Sequence, residues 1–252
     1  MNRHEQHPKI SARLYVAADL PSSGDLALDR DQTHYLATVM RAKVGAQIGL
    51  FNGRDGEWIG EIIEISRKSV TLRLTGQLQK QAPGPDVMLM FAPIKKARLD
   101  FIAQKATELG VSHLQPVLTD YTNADRIKIE RLKANAIEAA EQCERITVPI
   151  CSELKPLSDL LHDWPDDRHL VFCDEDMSGL PVHQALKPFE GAQSSKWAIL
   201  IGPEGGFSPA EREKIRSMKN AIPVSLGPRV LRADTAAIAA ITLWQATLGD
   251  WA

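Results

Sequence analysis

The sequence contains few of the residues that mark secreted, membrane-spanning or metal-binding proteins. Only three of its 252 residues are cysteines, and no two of them form a C-x-x-C pair, so we expect reduced thiols in a cytoplasmic protein. No apolar run approaches the roughly 18 residues of a membrane helix, which predicts no membrane contact. The segment from His4 to His7 lacks the H-E-x-x-H spacing, and a solvated tail is a better interpretation than a metal site.

Two common nucleotide-binding motifs are also missing. The chain has neither the G-x-x-x-x-G-K-[ST] motif of a phosphate loop nor the G-x-G-x-x-G motif of a dinucleotide-binding turn. The net charge of −2 argues against a nonspecific nucleic-acid coat. What the chain does have is 44% hydrophobic and 25% charged residues, the composition of a folded globular protein.

The chain divides into two regions with different patterns. Short β-type segments such as "AQIGLFNG" and "EWIGEIIEI" recur over residues 1–80, with one stretch of helical spacing, "RDQTHYLATVMRA", which is typical of a small barrel or sandwich. After a segment rich in proline and glycine at 79–86, buried-type strands alternate with amphipathic helices, of which "KARLDFIAQKATELG" is expected to end at Gly110. That alternation predicts a parallel sheet covered by helices over residues 85–252. The predicted fold class is α/β, preceded by a small β domain.

The segment "WAILIGPEGGFSPAE", residues 197–211, is a strand, a glycine-rich turn and a helix start. Ser208 fits an N-cap, with Pro209 at the first helical position and Glu211 completing a capping box. Ligands bind beyond the carboxyl ends of strands in open α/β sheets, so the turn is a candidate site. Glu204 stands where a phosphate loop would carry lysine, which suits a cation or ribose hydroxyls. A tight turn with a solvated Glu204 is an equal alternative.

A second glycine turn follows the predicted strand "VSLG". Gly227 and Pro228 turn the chain, and Arg229 and Arg232 come just before an alanine-rich helix. Surface ion pairs are the ordinary explanation for two such arginines. Their place just past a strand end favours recognition of an anion or a carbonyl group.

Together these segments resemble the SPOUT-class RNA methyltransferases, and most closely the family that methylates N3 of a uridine in 16S (small-subunit) ribosomal RNA. "IGPEGGFSPAE" is similar to that family's I-G-P-E-G-G-[FL]-[ST]-x-x-E signature, and "LGPRVLRADTA" resembles its L-G-x-R-I-L-R-x-E-T-A. "KKARLDFIAQKATELGV" and "AIEAAEQCER" are similar to two further blocks, and "HYLATVMRAKVGAQIGLFNGRDGEW" resembles the PUA-like N-terminal module. The resemblance covers roughly residues 13–248.

The resemblance implies a PUA-like β-barrel over residues 1–80 and a SPOUT domain with a deep trefoil knot over residues 85–252. It also implies S-adenosylmethionine (SAM) as methyl donor, 16S rRNA or the small ribosomal subunit as partner, and a homodimer with each active site at the subunit junction. SAM carries a sulfonium and an ammonium but no phosphate, so a lysine-free turn suits it. A looser third contact is implied around Cys173 to Glu175. The implied cofactor-binding residues are Leu200, Gly202, Glu204, Gly205, Gly206, Leu226, Gly227 and Leu231.

Methylation at uridine N3 requires removal of the N3 proton and stabilisation of the charge that spreads to O2 and O4. We predict Arg232 and Arg229 as the charge-stabilising groups and Glu204 as a weaker candidate for the base, with solvent as the alternative proton acceptor. RNA contacts are predicted on the β domain and on the helix over 95–105, where a solvated charged face is the alternative. These residues are Arg13, His34, Arg41, Lys43, Lys95, Lys96, Arg98 and Lys105.

The sequence departs from the family pattern outside the glycine turns. Tyr121 stands where the family usually has arginine, Glu144 replaces a glycine, Asp234 replaces a glutamate, and Met40 and Ala42 interrupt V-L-R-L. These departures bear on RNA contact rather than on the cofactor. Three other functions compete: a SPOUT methyltransferase acting on another RNA position, a nonenzymatic RNA-binding assembly factor, and a nicotinamide-dependent oxidoreductase with an atypical loop.

Overall fold

The structure is a computed structural model that describes residues 9–21, 23–123, 126–176, 178–191 and 196–252. The chain separates into two compact units, Met1–Pro83 with Ala140–Val148, and Gly84–Ala139 with Pro149–Ala252. His4 and His7 lie outside the described residues. Within those residues, no helix has the length and apolar character needed to cross a membrane, and no group of three or more His, Cys, Asp or Glu is placed to hold a metal ion.

The first unit is built on a five-stranded sheet with the order β1-β3-β4-β5-β2. The pair β1–β3 is parallel and the other neighbours are antiparallel. Apolar and polar residues alternate along the strands, so that Val70, Leu72 and Leu74 are buried while Arg73 is exposed, and one face of the sheet forms the core. The strands are β1 (Ile10–Tyr15), β2 (Gly24–Ala27), β3 (Gln47–Phe51), β4 (Glu57–Ile65) and β5 (Val70–Gln79).

A helical segment lies between β2 and β3. Asp29 caps helix α1 (Arg30–His34) in a capping box with Gln32, whose N–H lies 2.8 Å from Asp29 Oδ1. The chain continues as a π-helix over Tyr35–Val39, and the fully buried Leu36 anchors it in the core. The structure therefore contains the helix expected from the spacing, and its second half has the wider π geometry that the spacing did not indicate.

The second unit is built on an eight-stranded sheet in which every pair is parallel, as the alternation of strands and helices predicts. The strand order is β11-β13-β10-β12-β6-β7-β8, and β9 also pairs with β7. The strands are β6 (Val87–Phe91), β7 (His113–Leu118), β8 (Ile150–Cys151), β9 (Lys155–Pro156), β10 (Arg168–Cys173), β11 (Leu180–Pro181), β12 (Lys196–Ile201) and β13 (Ala221–Ser225).

Helices cover both faces of this sheet. Successive strand residues point to opposite faces, and Ile199 and Leu200 accordingly belong to two different buried clusters. Helices α2, α5 and α7 contribute to the first cluster, and α4 and α6 to the second. The helices are α2 (Lys96–Glu108), α3 (Ile129–Gln142), α4 (Leu157–His162), α5 (Val182–Leu186), α6 (Pro209–Arg216) and α7 (Ala233–Leu248), with a 3-10 turn over Lys187–Phe189.

The alanine-rich helix α7 packs closely against α2 and α5. Ala237 and Ala240 are buried in the contact. Gln245, which is also fully buried, donates from Nε2 to the carbonyl oxygen of Leu109 over 2.7 Å. Leu109 is the C-cap of α2, and Gly110 follows with a φ of +85°, so the predicted helix end at this glycine is confirmed. These contacts fix the start of α7 near the carboxyl ends of the strands.

Candidate cofactor and active site

A cavity of about 420 Å³ lies at the carboxyl ends of the three adjacent strands β12, β10 and β13. Its walls come from the turns that follow these strands, from the start of α7 and from Arg98 of α2. The volume falls within the roughly 300–1,000 Å³ of small-molecule sites. The position is the one where open α/β sheets bind ligands.

The cavity brings together most of the residues that the sequence assigns to a cofactor site. Arg229 and Arg232 also line it. Leu200 does not, because its side chain is fully buried in the second core cluster. The predicted cofactor residues that line the cavity are Gly202, Glu204, Gly205, Gly206, Leu226, Gly227 and Leu231.

The first glycine turn, residues 202–207, ends at a helix start that is fixed by hydrogen bonds. The Ser208 N–H lies 2.9 Å from Glu211 Oε2, and the Glu211 N–H lies 3.2 Å from Ser208 Oγ, so the predicted capping box is confirmed. Asp120, in the turn after β7, donates its N–H to Glu211 Oε1 over 2.9 Å and accepts a hydrogen bond from Ser208 Oγ. The turn after β7 therefore supports the first glycine turn.

Two glycines in this turn leave no room for a side chain. A Cβ at Gly202 would lie 2.6 Å from the ring of Phe207, which is buried and packs edge-on against Phe172. Gly206 has a φ of +71°, and a Cβ there would collide with the carboxylate of Glu175. The conformation of this wall of the cavity therefore depends on glycine at both positions.

Acidic residues just after β10 form the part of the cavity wall beside the first glycine turn and are held by α6. The Asp174 side chain is 1% exposed and lies 2.9 Å from both Arg212 Nε and Arg216 Nη2. Glu175 accepts the N–H of Phe207 over 3.3 Å and an ion pair from Arg212. The segment Cys173 to Glu175, where the family resemblance implies a third contact, thus lines the cavity, but the ion pairs that hold it were not predicted. The only local sign of these ion pairs in the sequence is that Arg212 and Arg216 are about one helical turn apart, so that both lie on the same face of α6.

The charged side chains that line the cavity differ in whether they form ion pairs. Glu204 Oε1 lies 2.6 Å from Arg98 Nη1, and the Glu204 side chain is 58% exposed. Arg229 and Arg232 are exposed, and neither forms an ion pair with any described residue. The cavity thus contains paired carboxylates along its walls and two unpaired guanidinium groups beside the second glycine turn.

Two family models match the chain. The RNA methyltransferase domain matches residues 80–245, which is more than half of the sequence, and the RNA methyltransferase PUA domain matches residues 28–75. The chain belongs to the RNA methyltransferase family. The family resemblance predicted from the glycine turns is confirmed, and the first unit contains a PUA-like module.

Relatives of this methyltransferase match over nearly their whole length. The ribosomal RNA small subunit methyltransferase E of Rickettsia conorii is 35% identical over 91% of this chain and 93% of its own. The protein of the same name from Buchnera aphidicola (strain APS) is 30% identical over 95% of this chain and 94% of its own.

Two solved structures share the fold of this methyltransferase. A Legionella pneumophila protein described as a methyltransferase, in complex with the bound cofactor SAM, has a TM-score of 0.81 and 28% identity, with 93% of this chain and 97% of that chain covered. A ribosomal RNA small subunit methyltransferase E from Neisseria gonorrhoeae, bound to S-adenosyl methionine, has a TM-score of 0.84 and 24% identity, with 96% and 99% covered. The predicted α/β class agrees with both.

The RNA-contact residues predicted for the first unit do not share one environment. Arg13 has a side chain only 10% exposed, which pairs with Glu57 at 2.6 Å and donates to the carbonyl oxygen of Ala140 over 3.1 Å. This differs from the expectation of a surface contact with RNA, because each of the three guanidinium nitrogens donates a hydrogen bond to an oxygen atom within the first unit. His34, Arg41 and Lys43 are exposed.

The RNA-contact residues predicted on α2 also differ from one another. Lys95 and Lys96 are exposed at the start of the helix. Lys105 pairs with Glu108 on the same helix at 2.7 Å. Arg98, which was predicted to contact RNA, lines the cavity of the methyltransferase.

Cys173, at the end of β10, lines the cavity but is not equipped to act as a nucleophile. Burial raises the pKa of its thiol to about 12, and burial likewise raises the pKa of Cys151 to about 11. Cys143 is exposed, and all three thiols are free. The thiolate is the reactive form, so the raised pKa values protect Cys151 and Cys173, and Cys143 is the exposed thiol.

We therefore expect native protein at pH 8 to consume one equivalent of iodoacetamide rapidly, at Cys143. A pKa of about 11 leaves about one Cys151 thiol in a thousand ionised at that pH, and fewer at Cys173. Mass spectrometry of peptides over time measures the sites. The Cys143→Ser variant should show no rapid phase, and denatured protein should react at all three thiols. Rapid labelling of Cys173 in native protein would contradict its burial.

Proposed function

We propose that this protein uses SAM to methylate N3 of a uridine in small-subunit (16S) ribosomal RNA. The observation that carries the proposal is the cavity formed by two glycine turns, whose described lining residues include carboxylates and guanidinium groups but no lysine. The names of its relatives specify ribosomal RNA of the small subunit, and a similar structure holds SAM. The choice of uridine N3 rests on the two signature motifs.

The lining of the cavity fits SAM better than it fits a phosphate-bearing nucleotide. SAM is cationic at its sulfonium and ammonium groups, and Asp174, Glu175 and Glu204 place carboxylates around the cavity. A Cβ at Gly227 would meet no atom within 4 Å, so the missing side chain leaves open space at the second turn, where φ is +105°. We assign the binding of SAM to Gly202, Glu204, Gly205, Gly206, Leu226, Gly227 and Leu231, and to the backbone of Leu200.

SAM, when bound, supplies an electrophilic methyl group. Loss of the N3 proton from uracil leaves negative charge on O2 and O4, and preorganised donors at those atoms lower the barrier. Arg232 and Arg229 suit this role because their guanidinium groups line the cavity and are not neutralised by a described acid. Glu204 already accepts from Arg98, which favours a role in holding the cofactor turn and leaves the proton to solvent.

We also propose the domain organisation and assembly that the family resemblance implies. A PUA-like β-barrel would occupy residues 1–80 and a SPOUT domain with a deep trefoil knot residues 85–252, in a cytoplasmic homodimer with active sites at the subunit junction. The five-stranded sheet of the first unit and the all-parallel sheet of the second are compatible with this. Val230, 78% exposed beside the cavity, is an apolar side chain that a second copy would cover.

RNA would be held by the exposed basic residues of both units. The predicted residues of the first unit that are exposed are His34, Arg41 and Lys43; Arg13 is excluded because its donors are used internally. Lys95 is the N-cap of α2 and makes no capping hydrogen bond. Ammonium groups at a helix N-terminus are unfavourable for the helix dipole, so Lys95 and Lys96 suit a bound phosphate.

The deciding experiment uses small ribosomal subunits that lack the modification, in parallel with RNA extracted from them. With labelled SAM and this protein, we expect label in one uridine. A methyl group at N3 occupies the base-pairing edge, so reverse transcription should stop beside the modified nucleotide. Label at another position would favour the alternative SPOUT activity. SAM binding without transfer to either substrate would favour a nonenzymatic RNA-binding factor.

A further inference from the structure

Arg98 connects the two segments that enclose the cavity. It lies in the first turn of α2, and its Nη1 is 2.6 Å from Oε1 of Glu204 in the first glycine turn. Its Nε is 3.9 Å from Oδ2 of Asp234, in the first turn of α7, which follows the second glycine turn. The Arg98 and Asp234 side chains are 26% and 19% exposed. One guanidinium group therefore faces a carboxylate from each of these two segments.

We propose that Arg98 is a positioning residue that holds the two glycine turns in the geometry that binds SAM. This inference rests on the proposed function. A guanidinium group carries five N–H donors in a fixed planar arrangement, so it can engage two carboxylates from different directions, which an ammonium group does less well. Arg98 acts on the cofactor through Glu204 and Asp234 and does not need to touch it.

The glycine content of the turns explains why such a connection affects binding. Glycine gives the chain more conformational freedom than any other residue, and ordering a loop on binding costs affinity. Gly205 and Gly206 follow Glu204 directly, and Gly227 with a φ of +105° precedes Asp234 by seven positions. A contact that restrains both turns before the ligand arrives lowers the ordering cost. Its loss should therefore appear in SAM affinity more than in global stability.

The two contacts of Arg98 differ in length, so the loss of either carboxylate should weaken SAM binding to a different extent. The 2.6 Å contact to Glu204 is a hydrogen bond, whereas 3.9 Å to Asp234 exceeds hydrogen-bond distance. Removing the Glu204 carboxylate should weaken SAM binding more than removing that of Asp234. A glutamate at position 234 is longer by one methylene, so the Asp234→Glu variant should bind SAM at least as tightly as the wild type.

Calorimetry with SAM on the full-length protein tests the proposal. Arg98→Ala and Glu204→Gln should each raise the Kd about tenfold, the size of a moderate coupling between sites. The double variant should bind no more weakly than Arg98→Ala alone, because both changes remove one interaction. Arg98→Lys should recover part of the loss. Thermal unfolding is recorded for each variant, and if Arg98→Ala does not fold, Arg98→Lys decides, with a Kd expected to remain severalfold above that of the wild type.

Arg131→Ala is the matched control. Arg131 of α3 pairs with Asp100, which lies on α2 as Arg98 does; their side chains are 46% and 18% exposed, and Arg131 does not line the cavity. This variant should change the melting temperature about as much as Arg98→Ala while leaving the Kd for SAM unchanged.

Three results would overturn the positioning role while leaving the proposed function intact. An unchanged Kd for SAM in Arg98→Ala with a raised KM for RNA would make Arg98 an RNA contact. An unchanged Kd with only a lower melting temperature would make the pair structural. Fully additive losses in the double variant would mean that Arg98 and Glu204 act separately. Failure of the wild type to bind SAM would instead contradict the proposed function itself.

Discussion

Replacing Gly206 by alanine is expected to raise the Kd for SAM about 100-fold or more. Gly206 has a φ of +71°, and a residue with a side chain in that left-handed region costs about 1–2 kcal/mol. The added Cβ would also collide with the Glu175 carboxylate. Glu175 is held by Arg212 and by the Phe207 N–H, so relieving the collision breaks these contacts or shifts the glycine turn. Calorimetry with SAM measures the loss.

Gly205 and Gly76 provide comparisons for this result. A Cβ at Gly205 would lie 3.3 Å from Cβ of Tyr121, and Gly205 has no positive φ, so Gly205→Ala should weaken SAM binding only severalfold. Gly76, in β5 of the first unit, has no atom within 4 Å of such a Cβ and serves as a neutral glycine-to-alanine change. Equal, small losses at Gly206 and Gly205 would show that the first glycine turn does not contact SAM.

Features set by neighbouring residues could be read from the sequence. The capping box of Ser208 and Glu211 and the helix end at Gly110 are both present. The segment "EWIGEIIEI" coincides with β4 (Glu57–Ile65). Each of these signals depends on residues within a few positions of one another, where local sterics and hydrogen bonds decide the conformation.

The partner of a charged side chain could not be read in this way. Arg13 was predicted to contact RNA, yet it pairs with Glu57, 44 positions away. Arg98 was placed with the RNA contacts, yet it meets Glu204, 106 positions away. The local sequence shows that a guanidinium group is present, but only the packing of distant elements decides which carboxylate it faces.

The shortest strands and the directions of individual side chains also could not be predicted from the sequence patterns. The strands β8, β9 and β11 have two residues each, which is too short to show an alternation of apolar and polar residues. They are strands because they pair with a neighbouring strand. Leu200 lies in β12, just before the first glycine turn, and was predicted to bind the cofactor. The pleat of the strand points its side chain into the core instead. Asp174 lies within the third contact implied around Cys173 to Glu175, but its ion pairs could not be predicted, because the arginines that hold it lie on α6.

The Arg232→Ala variant is expected to lower the kcat for RNA methylation about 100- to 1,000-fold, the usual effect of losing one donor to a developing anion. Arg232 lines the cavity, is exposed, and pairs with no described acid. It is also the N-cap of α7 but makes no side-chain capping hydrogen bond. Because alanine removes no cap, the stability of the helix should hardly change, and the loss would report on the reaction.

Single-turnover rates with saturating SAM and RNA, together with the Kd for SAM, separate the possible roles of Arg232. We expect the Kd to stay within severalfold of the wild type while the rate falls. Arg232→Lys keeps the charge but loses the planar pair of donors, so its rate should lie between those of the wild type and Arg232→Ala. Arg73→Ala, which removes an exposed arginine paired with Asp25 in the first unit, is the control for a general loss of positive charge. Unchanged turnover in Arg232→Ala would remove this arginine from the mechanism, and a raised KM for RNA at unchanged kcat would assign it to RNA binding.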